Sequence, residues 1–132
     1  MKNKKIKIIF SIFGDDFDTN QFTKVVEVLP TNIHIKGNIG KYKVSYKETS
    51  WDYEMVTNQY ELDNLSDDLV SLFKQKKYKI LNFKKENKLT IKFFLIFHVK
   101  NSIIPSLFLN RNFLDFLDFF NAEIDIDGYC DD

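Results

Sequence analysis

Cysteine is nearly absent from this 132-residue chain: Cys130 stands alone, which excludes an intrachain disulfide and a cysteine-rich zinc site, and makes a reducing cytoplasm the simplest compartment. Alanine occurs once, at Ala122, and proline twice, so neither an alanine-rich helical bundle nor a proline-rich linker fits. No charge of one sign dominates, because 19 basic residues balance 19 acidic ones, and no global field announces nucleic acid or an anionic membrane as partner. No apolar run approaches the roughly 20 residues that a membrane span needs. Residues 1–13 have the basic lead and short apolar run of a signal peptide, but Lys7 interrupts the run, Asp15 and Asp16 follow it, and no small-x-small cleavage site appears; export is not expected.

What the chain does have is aromatic volume. Fourteen phenylalanines, with 44% hydrophobic residues overall, are enough to close one core, and a core of rings and β-branched residues favours sheet-rich packing with a few helices. A single domain over 1–132 is expected.

The stretch FSIFGDDFDT at 10–19 joins a strand to a helix. Residues 5–13 read as the first strand, and Gly14 ends it. Asp18 and Gln21 form a capping-box pattern that starts a helix at Thr19, with Phe22, Val25, Val26 and Leu29 on one face up to Pro30. Asp15, Asp16 and Asp18 therefore crowd a helix N-terminus, where partial positive charge stabilises carboxylates. Residues 31–36 alternate as a second strand, 37–40 supply a turn, Tyr42, Val44 and Tyr46 alternate as a third strand, and Trp51, Tyr53 and Met55 as a fourth or its continuation. In this reading Trp51 and Tyr53 cover the core edge and keep a polar tip in water.

A helix is expected from Asn64 or Ser66 to about Lys76, with Leu65, Leu69, Leu72 and Phe73 on one side, and a short one over 78–86. Residues 89–99 form the strongest strand, apolar on both faces at its centre and hence interior. After Pro105, a short strand over 107–109, a helix capped by Asn110 or Asn112 and stopped at Asn121, and a last strand over 123–129 complete the chain. The expected class is α+β: a largely antiparallel mixed sheet with two or three main helices on one side. Strand, helix, strand occurs twice, over 5–36 and 89–129, which suggests a duplicated plan.

Together FSIFGDDFD (10–18), LPT (29–31), KG (36–37), the single Trp51 and NAEIDIDGY (121–129) resemble a bacterial family catalogued as domain of unknown function 4279. The resemblance spans nearly the whole chain. It implies no established reaction, although some members look like immunity proteins encoded beside bacterial toxin genes. One departure is Thr19-Asn20 after Asp18, where the family tends to carry Pro and an acidic residue.

Motifs that carry chemistry are sparse. Asp16, Asp18, Asn20 and Glu27 have the spacing of a calcium loop, but its glycine is replaced by Gln21 and the segment has helical periodicity. His34 and His98 lie on expected strands among apolar neighbours, and Cys130 has no nearby base. Lysines 74, 76, 77, 79, 84, 85 and 88, with Tyr78 and Phe83 between them, could contact single-stranded nucleic acid, but a solvated helix explains them more simply. The expectation is a non-enzymatic protein-binding domain, an immunity protein occluding a toxin, with Asp15, Asp16, Asp18, Trp51 and Tyr53 as contacts. No cofactor, no metal and no membrane are called for. The alternatives are a metal-dependent hydrolase using the acidic loop and a histidine, and a nucleic-acid binder acting through residues 74–88.

Overall fold

A computed structural model describes residues 5–59 and 61–130. The chain runs β1 (Ile6–Gly14), α1 (Thr19–Val26), β2 (Asn32–His34), β3 (Thr49–Thr57), α2 (Asp63–Phe73), a 3-10 turn (Lys74–Lys76), α3 (Lys77–Asn87), β4 (Thr90–Val99), α4 (Arg111–Phe119) and β5 (Glu123–Cys130). The strands form one mixed sheet in the order β2-β3-β1-β4-β5, antiparallel throughout except for the parallel β4–β5 pair. This is the expected α+β architecture, and β4 is interior as its two-sided apolarity requires.

Alternation along the strands divides the sheet into two faces. Ile6, Ile8, Phe10 and Ile12 of β1, Trp51 of β3, and Ile91, Phe93 and Leu95 of β4 share one face by register and are buried beneath the helices. Phe10 is at its centre, with ring centroids 4.8 Å from Phe73, 5.3 Å from Phe93 and 6.1 Å from Trp51. Phe22 and Val26 of α1, Leu69 and Phe73 of α2, Ile80 and Phe83 of α3, and Phe113 and Phe120 from the α4 region complete the core. Gly14 is needed where β1 ends: a Cβ there would come within 2.5 Å of Leu89 Cδ2.

Several expected boundaries shift. The first helix stops at Val26, not Leu29, because Glu27 turns left-handed (φ 59°) and closes the helix through its amide to Thr23 O, while Lys76 Nζ holds its carboxylate at 2.6 Å. This early exit lets Thr31 dock on β3, donating from N to Asp52 O at 2.8 Å and accepting from Glu54 N at 3.0 Å. Leu29 is left 78% exposed rather than packed on the sheet. Leu72 is likewise exposed, and Val70 takes the buried position on α2.

Tyr42, Val44 and Tyr46 do not form a strand. Residues 37–46 close on themselves, with Gly37 N to Tyr46 O and Gly40 N to Val44 O both at 2.9 Å, so the alternating side chains have no sheet to lie on and Tyr42 is 80% exposed. Residues 107–109 also lack strand partners; pairing near them is the single bridge from Ser106 to Glu61. The two strand-helix-strand units differ in a further respect. β4 and β5 are adjacent and parallel, whereas β3 is inserted between β1 and β2, so the halves share a direction but not a pairing.

The α2 start moves to Asp63, ahead of the expected Asn64 or Ser66, and has no side-chain cap, whereas the ends marked by Asp18, Asn110 and Asn121 stand. Asp18 accepts from Gln21 N at 3.1 Å and starts α1 at Thr19, Asn110 accepts from Phe113 N at 2.9 Å and starts α4, and Asn121 is left-handed (φ 51°). Asn110 also donates to Asp63 at 2.8 Å and Asp67 at 3.0 Å, tying α4 to the first two turns of α2.

Candidate functional site

With the helices on one side, the other face of the sheet carries the surface chemistry. By register it presents Asn32 and His34 of β2, Ser50, Asp52 and Glu54 of β3, Lys7, Ile9, Ser11 and Phe13 of β1, Thr90, Lys92, Phe94 and Ile96 of β4, and Glu123, Asp125 and Asp127 of β5. Ile9, Phe13, Phe94 and Ile96 are half-buried there. Lys7 pairs with Glu54 at 3.7 Å, and Lys92 pairs with Asp125 at 3.6 Å while its ammonium lies 5.2 Å from the centre of the Phe94 ring.

Towards the β2 edge this face deepens into a cleft of about 410 Å³, lined by Ser11, Phe13, His34, Tyr46, Asp52 and Phe94 among others. Tyr46 reaches it from the 37–46 loop by stacking on His34, with ring centroids 4.2 Å apart and planes within 8° of parallel. Ser11, 4% exposed, donates its hydroxyl to Asp52 Oδ1 at 2.6 Å. Burial pushes the Asp52 carboxyl above its ordinary range; the Ser11 hydrogen bond and the nearby His34 work against that rise, and Glu54 adds to it. A second hollow of about 440 Å³ adjoins the cleft under the same loop and shares His34, Tyr46 and Lys47.

The residues singled out from sequence fall elsewhere. Asp15, Asp16 and Asp18 are exposed beyond β1, and each is engaged separately. Asp15 pairs with Lys36, Asp16 accepts from Thr49 Oγ1 at 2.8 Å and Phe17 N at 2.9 Å, and Asp18 caps α1. Lys36 is raised above its ordinary pKa by Asp15. The calcium-loop spacing dissolves into α1 and the Glu27–Lys76 ion pair. Trp51 is 0% exposed, with Nε1 donating to Thr23 Oγ1 at 3.0 Å, so it is a core residue and not a surface contact. Tyr53 is half-buried on the same helix-covered face, its ring edge-on to Phe73 at 5.6 Å. The expectation of a wet polar tip fails for Trp51, because α1 brings a hydroxyl to its indole.

The acidic loop is not brought together with either imidazole: His34 belongs to the cleft, and His98 is beside Tyr129 with ring centroids 5.7 Å apart. Among the described residues no group of three or more His, Cys, Asp or Glu is placed to hold a metal ion. The lysine segment occupies the 3-10 turn and α3, with Phe83 buried and Tyr78 edge-on to Phe119 at 5.2 Å, so its rings do not form a stacking row. No helix among the described residues is long and apolar enough to cross a membrane.

The Ser11–Asp52 pair is what sequence reasoning missed. The signal was present: Ser11 is the one polar residue between Ile8 and Phe13, and Asp52 lies between Trp51 and Tyr53, each where alternation points away from the core. That they meet depends on the β1–β3 register, which aligns Ser11 with Asp52.

A family model described as a domain of unknown function, DUF4279, matches residues 4–131. No curated protein and no solved structure matches the chain.

Proposed function

Because the chain belongs to the DUF4279 family, a membership that brings no reaction with it, we propose from the surface that this is a non-enzymatic protein-binding domain. It would occlude part of its partner, as an immunity protein occludes a toxin domain. One observation carries the reading: the face of the sheet opposite the helices combines half-buried apolar side chains with an excess of carboxylates. Within the strands, Asp52, Glu54, Glu123, Asp125 and Asp127 stand against Lys7 and Lys92, and both of those ammonium groups are already paired. A chain with no net charge thus presents an acidic face, which steers and orients a basic partner surface. Asp15, Asp16 and Asp18 remain exposed and extend the candidate contact area past the end of β1.

Co-expression with the products of the adjacent genes tests this. One such product should be toxic alone, harmless in the presence of this chain, and recovered with it as a stoichiometric complex. If no neighbouring product is toxic and none co-purifies, the proposal fails.

A second reading is favoured by the Asp52 carboxyl alone: raised by burial and hydrogen-bonded to Ser11 beside His34, it has the setting of a general acid–base group. Turnover of an ester or phosphoester panel that is lost in Asp52→Asn would support acid–base catalysis; no turnover above the buffer rate removes it.

A further inference from the structure

The cleft on the sheet face has walls and a floor of different chemistry. Rings make the walls: Phe13 of β1, Phe94 of β4, His34 of β2 and Tyr46 from the 37–46 loop. The floor is Asp52. Ser11 spends its hydroxyl on Asp52 Oδ1, and no described side chain donates to Oδ2. Of the strand ammonium groups on this face, Lys7 is paired with Glu54, and Lys92 is paired with Asp125 while lying 5.2 Å from the centre of the Phe94 ring. Lys47 and Glu48, both exposed, oppose each other's charge at the rim. Oδ2 is thus left open to a cleft that shields the carboxylate from water only in part, with no side-chain donor of its own, and the Phe13, Phe94, His34 and Tyr46 rings line the same cleft.

A planar cation satisfies both parts at once. A guanidinium forks its N–H donors onto a carboxylate and lays its plane on ring faces, whereas an ammonium is a compact, strongly hydrated point charge that gains less from such walls. An anion is opposed by Asp52 and Glu48. We infer that this cleft receives an arginine side chain projecting from the partner protein, with Asp52 as its anchor, Ser11 as the residue that orients the anchor, and the Phe13, Phe94 and Tyr46 rings as its stacking surfaces. The inference rests on the protein-binding reading and specifies what the partner presents.

The test uses the full chain and a defined probe, Nα-acetyl-arginine methylamide, with the corresponding citrulline compound as its uncharged isostere. Amide chemical shifts are followed by NMR during titration. The arginine probe should shift residues around Ser11, His34, Tyr46 and Asp52, with saturation on the order of millimolar for a single side chain. The citrulline probe should leave them unmoved. Asp52→Asn should weaken arginine binding about ten- to hundredfold, as expected for loss of a charged hydrogen-bonding partner. Phe94→Ala should weaken it by about threefold, through lost cation–π attraction. An unchanged amide spectrum elsewhere shows that the variants remain folded.

Equal shifts from both probes, shifts that map outside the cleft, or wild-type affinity in Asp52→Asn overturns the inference. A neighbouring gene product that binds the Asp52→Asn chain as tightly as the wild type also overturns it, and leaves the protein-binding reading standing. If the arginine probe binds but no neighbouring product does, the protein-binding reading falls, and the assignment of the arginine to a partner falls with it.

Discussion

Replacing Trp51 by alanine removes the largest side chain of a packed aromatic group. The indole is fully buried, with ring centroids 4.8 Å from Phe22, 6.1 Å from Phe10 and 6.3 Å from Phe73. Its loss leaves a cavity between α1 and the sheet that three rigid rings cannot easily collapse into, so the expected cost is about 3–5 kcal/mol. Against a typical stability of about 5–15 kcal/mol, that leaves a marginal fold. Trp51→Phe is milder, because it keeps a ring and deletes the N–H bond to Thr23, worth about 1 kcal/mol. Thr23 Oγ1 still donates to Thr19 O at 3.2 Å, so no stranded donor adds to that figure. Urea unfolding followed by far-ultraviolet circular dichroism measures both changes. Trp51 is the single tryptophan, so acrylamide quenching of the native protein tests its burial independently. A cost below about 1 kcal/mol for Trp51→Ala, or quenching as efficient as in the unfolded chain, would refute the placement of Trp51 in the core.

Other perturbations have comparably direct outcomes. Gly14→Ala drives a methyl group into Leu89 and is expected to cost about 1–3 kcal/mol in urea unfolding, as overpacking does. Asp18→Ala removes the cap of α1 and should cost about 1 kcal/mol in the same assay, while Asp18→Asn, which keeps the acceptor, should cost less. Asp52→Asn reports pH linkage. The Asp52 carboxyl titrates at its ordinary 3.8 in the unfolded chain and above that in the folded one, so ionisation penalises the fold as pH rises through this window. The asparagine variant should therefore be at least as stable as the wild type at neutral pH, and lose that advantage as pH falls through the folded value towards 3.8. Thermal unfolding across that range checks the sign.

The elements that were legible are those whose signal is local. β1 and β4 carry long apolar alternation, Asp18 and Asn110 mark helix starts by their own side chains, and Asn121 marks a stop by its left-handed backbone. What escaped depends on partners distant in sequence. Tyr42, Val44 and Tyr46 alternate like a strand, but the hydrogen bonds of that segment run back to Gly37 and Gly40, so no sheet edge receives it. Glu27 ends α1 in a left-handed conformation that a glutamate does not advertise, and its carboxylate meets Lys76, 49 residues away. Trp51 and Asp52 show the same limit at the candidate site. Composition favours an amphipathic tryptophan at an edge, and only the packing of α1 turns it into core, while its neighbour Asp52 is turned to the opposite face, where Ser11 meets it.

Partner binding, in this reading, depends on the acidic sheet face. Isothermal titration of a neighbouring toxic gene product with the wild-type chain and with a Glu54→Lys, Asp125→Lys, Asp127→Lys variant, whose fold is first verified by circular dichroism, tests that claim most directly. Binding and cellular protection lost together in the variant, with weakening of the wild-type complex as salt rises, is the predicted result. A charge-reversed chain that binds and protects as the wild type does would contradict it.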